Sequence, residues 1–341
     1  MEADHPEVVA DVEVVVDEVN SPVQKVKVHF QFFNIIYLVG FWWITFPTTS
    51  LSQLLLPAMK PGQLITIDSF TSAYVDARPI LIWLPPGYTT AKHYAVLYMH
   101  DGQMLFDSTT SWNGQEWQVD ETVSRLLTEK KIMDVIVVGI PNNGLKRNAE
   151  YFPEAILEKM PSTLREKVIH EWLTDKPLAD NYLKFITSEL KPYVDKHYST
   201  YADREHTYIM GASMGGLIAS YALCQYPEVF RGAGCLSTHW PMLNPAPDDE
   251  ELYTLVASYY FQYLASHLPD PSHHVFYFDH GTETLDALYA PLQEMADKVM
   301  KEKGYGEENW TSKVFQGEDH SERAWAKRLE IPLQFLLQPT E

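Results

Sequence analysis

Short apolar runs alternate with longer amphipathic stretches from about residue 62 onward. Segments 64–70 and 79–84 read as two opening strands, and 94–99 (YAVLYM) and 135–140 (VIVVGI) are unbroken apolar runs. Segment 207–210 leads into a glycine-rich turn, and 232–236, 275–278 and 313–315 are further short strands. Strands apolar at every residue belong to sheets covered on both faces. Helical patterns fall between them, at 119–130, 178–198, 217–225, 251–264, 287–303 and 322–337. Strands first, then strand–helix alternation, predict an α/β fold with a mostly parallel, doubly wound sheet and antiparallel first strands. No repeat or low-complexity linker interrupts 62–341, which reads as one domain.

Residues 1–61 follow a different pattern. Seven of the first 27 are acidic, then Lys25 and Lys27 precede an apolar run at 34–46 (NIIYLVGFWWITF). That run is too short to span a bilayer, which takes about 20 residues. A basic flank, a short apolar stretch and a Pro-Thr-Ser segment form the layout of a secretory signal peptide. The acidic stretch in front of it does not fit that layout, and a natural start near Lys25 would remove the conflict. The alternatives are an N-terminal membrane anchor and a hydrophobic arm packed on the domain. Export predicts a secreted or periplasmic protein whose mature domain has no membrane partner.

Composition narrows the function classes. A chain that is 45% hydrophobic and 13% aromatic can build a large core, which argues against global disorder. A net charge of −20 leaves no basic surface for nucleic acid and disfavours polyanionic substrates. Cys224 and Cys235 are too few for a disulfide framework and lack metal-ligand spacing, so both read as small buried hydrophobes. No His/Asp/Glu cluster has ligand spacing either, so no metal is expected. Oligomeric state leaves no trace in the sequence.

The chemistry centres on Gly211-Ala-Ser213-Met-Gly215-Gly216, a G-x-S-x-G motif between a predicted strand and a predicted helix. A strand-to-helix turn this tight requires small neighbours and holds the serine exposed at a helix N-terminus, as in the α/β-hydrolase fold. Gly216 is expected to let the helix approach the sheet. A serine needs a base, and in this fold the chain order is Ser, then Asp or Glu, then His. His320 lies on the loop between the last predicted strand and the C-terminal helical pattern and is the expected base. His100, His239 and His280 also sit near strand ends and read as pocket-wall or packing residues. The acid falls in the loop after the seventh strand, where Asp286 is preferred and Glu283 is the alternative; Asp286 is equally suited to cap a helix. Met214 N–H and Gln103 N–H are the expected oxyanion donors, with Gly102 supplying backbone freedom to the loop after the third strand.

YAVLYMHDGQMLFD (94–107), SWNGQEWQVDE (111–121), IMGASMGGLIASYAL (209–223), YFDHGTETLD (277–286) and GEDHSERAW (317–325) together resemble the putative-esterase family of α/β-hydrolases. That family includes enterochelin-type, feruloyl and acetylxylan esterases, S-formylglutathione hydrolases and mycolyltransferases. The resemblance covers about 64–338 and implies cofactor-free carboxylic-ester hydrolysis, with Ser213, His320, Met214 and Gln103 in the roles above. It is less specific about the acid; the length of the helix after Asp286 matches feruloyl-esterase-like members.

Substrate is the thinnest reading. Trp112, Trp117, Asn142, Asn143, Arg147, His239 and Trp240 follow strand ends and should open on the carboxyl edge of the sheet, where such folds bind ligands. Of these, Trp112, Arg147, His239 and Trp240 are the candidate substrate contacts. The segment 150–179 is long enough for a lid-like insertion. With export, they point to a small-molecule or carbohydrate-linked ester of hydroxycinnamoyl or siderophore type. Acyl transfer to a sugar or lipid hydroxyl is the alternative outcome of the same triad. A non-catalytic binding module on this scaffold would require a damaged triad, and all its residue types are present.

Overall fold

A computed structural model of the protein describes residues 62–173, 176–244 and 249–339. They fall in the second of two compact units, Leu55–Glu341. The extension 1–61 and its export or anchor segment at 34–46 lie outside the described residues. Among the described residues no helix is long and apolar enough to cross a membrane.

Among the described residues eight strands form one sheet: β1 (Gln63–Phe70), β2 (Arg78–Leu84), β3 (Ala95–His100), β4 (Val135–Ile140), β5 (Thr207–Ala212), β6 (Gly232–Leu236), β7 (Val275–His280) and β8 (Trp310–Val314). Their order is β1-β2-β4-β3-β5-β6-β7-β8. β2 runs antiparallel to β1 and β4, and every later pairing is parallel. This is the mostly parallel sheet with antiparallel first strands that the pattern predicts.

The unbroken apolar strands are explained by two cores, one on each face of the sheet. Val96 and Tyr98 of β3 point into one, and Ala95, Leu97 and Met99 into the other. Successive side chains of a strand alternate faces, so a strand sandwiched between helices must be apolar at both sets of positions. Edge strand β1 is only half covered and keeps polar residues at exposed positions. On the other edge β8 covers Trp310–Val314, three residues earlier than its apolar signal at 313–315, because pairing with β7 rather than hydropathy sets its register.

Among the described residues ten α-helices flank the sheet: α1 (Val119–Thr128), α2 (Arg147–Tyr151), α3 (Ser162–Lys167), α4 (Ala179–Phe185), α5 (Lys191–His197), α6 (Met214–Gln225), α7 (Glu250–His267), α8 (Ala290–Glu302), α9 (Glu322–Arg328) and α10 (Glu330–Leu336). The stretch expected as one helix at 178–198 widens into a π turn, Ile186–Leu190, between α4 and α5. Pro192 near the start of α5 has no N–H to continue the ladder, and a π turn absorbs the lost bond. Likewise 322–337 divides at Leu329 into α9 and α10, with Pro332 in the first turn of α10, where a missing N–H costs nothing. The insertion expected at 150–179 holds a 3-10 turn (Glu154–Lys159), α3 and a π turn (Val168–Leu173).

Two features aim the fold at its site. Helix α6 is buried at every residue except its last, so it is apolar all round and locked between sheet and flanking helices. Helix α2 is tied to the sheet by the buried pair of Arg78 and Glu150, at 2.8 and 2.5 Å.

Candidate active site

Ser213 is the single residue between β5 and α6, at φ 59° and ψ −125°. A non-glycine residue holds this conformation only when its surroundings over-determine it. They do so here by contact. A Cβ at Gly211 would lie 2.7 Å from the backbone of Gly215, and one at Gly216 would lie 3.0 Å from Thr238 Oγ1. Ser213 N–H donates to Leu236 O at 2.9 Å, and His239 N–H donates to Ser213 O at 3.1 Å. The turn is therefore pinned to the end of β6.

His320 sits in the loop between β8 and α9, one residue before the N-cap Ser321, whose hydroxyl accepts from Ala324 N–H. Its Nδ1 lies 2.5 Å from Asp286 Oδ1. Asp286 is 1% exposed and lies inside a 3-10 turn, Thr284–Leu288, rather than capping a helix. Its other oxygen accepts from Ser237 Oγ and from Gly281 N–H, both at 2.6 Å. Burial pushes the Asp286 carboxyl up. The bond and charge of His320, with the Ser237 and Gly281 donors, outweigh burial and hold it below the ordinary carboxylate value. Glu283, the alternative acid, is exposed at the surface. Between these two carboxylates, the one facing His320 is Asp286.

Gln103 belongs to a 3-10 turn, Gly102–Met104, at the end of β3, and Met214 is the first residue of α6. N–H groups at such positions have no acceptor within their own turn. The conformational freedom expected of Gly102 is found one residue earlier: Asp101 takes the left-handed conformation, with φ 55°. Gly102 is required for a different reason, since a Cβ there would lie 2.6 Å from the backbone of Gly139 and Ile140. Asp101 is held by Arg147 through two bonds of 2.8 Å and by Asn142 Nδ2 at 2.7 Å. Burial raises the Asp101 carboxyl, but these partners hold it below its ordinary value. Arg147 thus braces the loop that carries Gln103.

Ser213 and His320 open into one cleft of about 570 Å³, whose walls include Trp112, Asn142, Arg147 and Trp117. Trp112 is 82% exposed at its rim, and Trp117 packs on Trp325 with ring centroids 5.3 Å apart. The other two expected substrate contacts lie elsewhere. Trp240 is in the core against Phe261 and Phe278, its indole N–H donating to Gln293 Oε1 at 2.8 Å. His239 is also buried. Its Nε2 meets Leu243 O at 2.9 Å and its Nδ1 meets the Tyr289 hydroxyl at 2.7 Å. Trp240 turns inward onto Tyr260 and Phe261 of α7 and Phe278 of β7, and His239 turns inward onto Tyr289 and Leu243 O. Cys224 and Cys235 are free and buried, as their apolar surroundings predicted. Among the described residues no cluster of His, Cys, Asp and Glu could hold a metal ion.

Several residues of this site carry no sequence motif. Ser237, Asp279 and Arg328 line up behind Asp286, and the Ser213 hydroxyl faces the phenol of Tyr289.

The fold recurs in solved esterases. A ferulic acid esterase superposes with a TM-score of 0.57 at 20% identity, over 81% of this chain and 98% of its own. The enterobactin esterase FES from Shigella flexneri gives 0.57 at 17% identity, over 82% and 60%. By sequence, the ferri-bacillibactin esterase BesA of Bacillus subtilis (strain 168) is 24% identical over 154 residues, 43% of this chain and 49% of that protein. The uncharacterised YbbA of the same organism is 25% identical over 167 residues, 48% and 58%. The chain spans about half the length of these curated relatives. The model of the esterase family described as "Putative esterase" matches residues 72–332, a range that holds β2 to β8 with Ser213, Asp286 and His320, and the chain belongs to that family.

Proposed function

We propose that the protein hydrolyses a carboxylic ester through an acyl-enzyme formed on Ser213. The observation that carries this reading is the strained serine turn opening on the same cleft as the Asp286–His320 pair. Ser213 Oγ attacks the ester carbonyl and its proton passes to Nε2 of His320. Asp286 holds Nδ1–H and stabilises the imidazolium. The negative oxygen of the tetrahedral intermediate lies between the N–H groups of Gln103 and Met214, at the positive end of α6. His320 then protonates the leaving alcohol. Water repeats the sequence on the acyl-enzyme and frees the acid.

The cleft supports a neutral ester. Arg147, the cation in its wall, is spent on Asp101, and the chain is strongly acidic, so a polyanionic ferric siderophore finds little attraction. An exposed indole beside the amides of Asn113 and Gln115 suits a sugar face or a hydroxycinnamoyl ring. Export of the mature domain, read from the segment after Lys25, agrees with a cell-wall ester.

The test is turnover of short p-nitrophenyl esters by the parent and Ser213→Ala, with fluorophosphonate labelling of Ser213. Loss of both in the variant is expected, and unchanged turnover would overturn the assignment. Methyl ferulate, acetylated xylan and a catecholate siderophore then separate the substrate classes. Product partition between water and an added alcohol separates hydrolysis from acyl transfer.

A further inference from the structure

Behind Asp286 a chain of buried hydrogen bonds runs to the end of β7. Ser237, the residue after β6, is fully buried at φ 39°. Its hydroxyl contacts Trp325 Nε1 at 3.0 Å, Arg328 Nη2 at 2.8 Å and Asp286 Oδ2 at 2.6 Å. An indole and a guanidinium can only donate, so they occupy the lone pairs of the Ser237 oxygen. Its single proton is thereby directed to Asp286.

Arg328 is in turn gripped by Asp279, with Nε to Oδ2 at 3.2 Å and Nη2 to Oδ1 at 3.0 Å. Tyr277 donates its hydroxyl to Asp279 Oδ2 at 2.9 Å, and Ser237 N–H donates to Oδ1 at 3.1 Å. Burial leaves the Asp279 carboxyl above its ordinary value, with the charge and bonds of Arg328 and the Ser237 and Tyr277 donors opposing the rise; the close two-bond pairing sets this carboxyl against the charge of Arg328. The same Arg328 nitrogen stands 4.0 Å from Asp286 Oδ2. The guanidinium therefore lies between two carboxylates, bonded to one and separated from the other by a single hydroxyl.

We propose that Asp279, Arg328 and Ser237 are positioning residues that lock the Asp286 carboxylate toward His320 and fix the net charge the imidazole faces. The inference rests on the reading of Ser213, Asp286 and His320 as the catalytic groups. Asp279 neutralises Arg328, so Asp286 presents an undiminished negative charge to His320 when it accepts the serine proton. Without Asp279 the guanidinium would answer to Asp286 instead, and the imidazolium would lose that support. The other titratable groups around His320 are Tyr289 from the same segment as Asp286, His239 from the end of β6, Glu322 from α9, and the Asp101–Arg147 pair across the cleft.

The experiment follows the His320 imidazole by NMR titration in the full chain, alongside the acid limb of the kcat/KM profile. Asp279→Asn adds one net positive charge behind Asp286 and is expected to lower both midpoints by about 1 pH unit. Asp279→Asn combined with Arg328→Met removes the two charges together and is expected to return the midpoints to the parent position. That return separates charge-setting from mere structural damage. Midpoints that stay put in Asp279→Asn, or that the double variant does not bring back, would overturn the proposal. Ser237→Ala guards against a misfolded Asp279 variant: it is expected to reduce kcat about tenfold with KM unchanged, and an unchanged kcat overturns the proposal as well. The titration is read equally well in Ser213→Ala, so failure of the charge unit and failure of the nucleophile are distinguished.

Discussion

The Tyr289 hydroxyl and His239 Nδ1 are 2.7 Å apart, and the direction of that hydrogen bond is fixed by a third group. Leu243 O, 2.9 Å from His239 Nε2, can only accept, so Nε2 carries the ring proton and Nδ1 is bare. Tyr289 therefore donates to His239. Tyr289→Phe removes the donor from a buried imidazole nitrogen. We expect a loss of about 1–3 kcal/mol, read as a lower denaturant midpoint, because a buried acceptor is left unsatisfied. An unchanged midpoint would show that the Tyr289 hydroxyl is not what satisfies that nitrogen.

Two buried histidines set the acid sensitivity of the fold. Burial lowers His100 and His239 to about 3, and the positive groups near His239, His320 and Arg147, add to its drop. Unfolded histidine titrates near 6.5, so between about pH 6.5 and 3 the unfolded chain binds protons that the folded chain refuses. Stability therefore rises with pH through this window and falls on acidification, by about 1.4 kcal/mol per pH unit for each histidine at full slope. Asp286 acts from the lower end of this window downward: its depressed carboxyl stabilises above the ordinary value and loses that contribution as pH falls from there through the folded one. Urea midpoints measured from pH 7 to pH 4 check the slope, which His100→Gln should flatten.

Arg147→Met tests the brace under the oxyanion loop. It leaves Asp101 with Asn142 as its remaining side-chain donor. The expected cost is about 1–3 kcal/mol of stability. On the proposed mechanism a fall in kcat exceeding the rise in KM is also expected, because an oxyanion donor such as the proposed Gln103 N–H would contribute most in the transition state. A change confined to KM would instead make Arg147 a substrate contact.

Two tryptophans that look alike in sequence should behave oppositely. Trp240→Ala opens a core cavity and should cost about 3–5 kcal/mol. Trp112→Ala, at an 82% exposed site, should alter stability by less than about 0.5 kcal/mol while raising KM for aromatic or sugar esters. Thermal melts and a KM series on methyl ferulate check the pair.

What could be read from the chain is what neighbouring residues impose on one another. A strand buried on both faces must be apolar throughout, so β3, β4 and β6 were visible at once. A turn that leaves no room for a Cβ must state its steric need in adjacent glycines, which made the Ser213 turn legible. The order Ser213, acid, His320 follows from strand succession. Other decisions lie in contacts between residues far apart. Asp286 and Glu283 are equivalent as local sequence, and only the fold turns one toward His320, which is 34 residues on, and the other to solvent. Ser237 meets Arg328 across 91 residues, and no spacing announces that meeting. His239 and Trp240 follow a strand end just as Asn142 does, yet the packing of α7 and Tyr289 draws them into the core. Local sterics are written in the sequence; which polar groups share one buried site is decided when the chain brings them together.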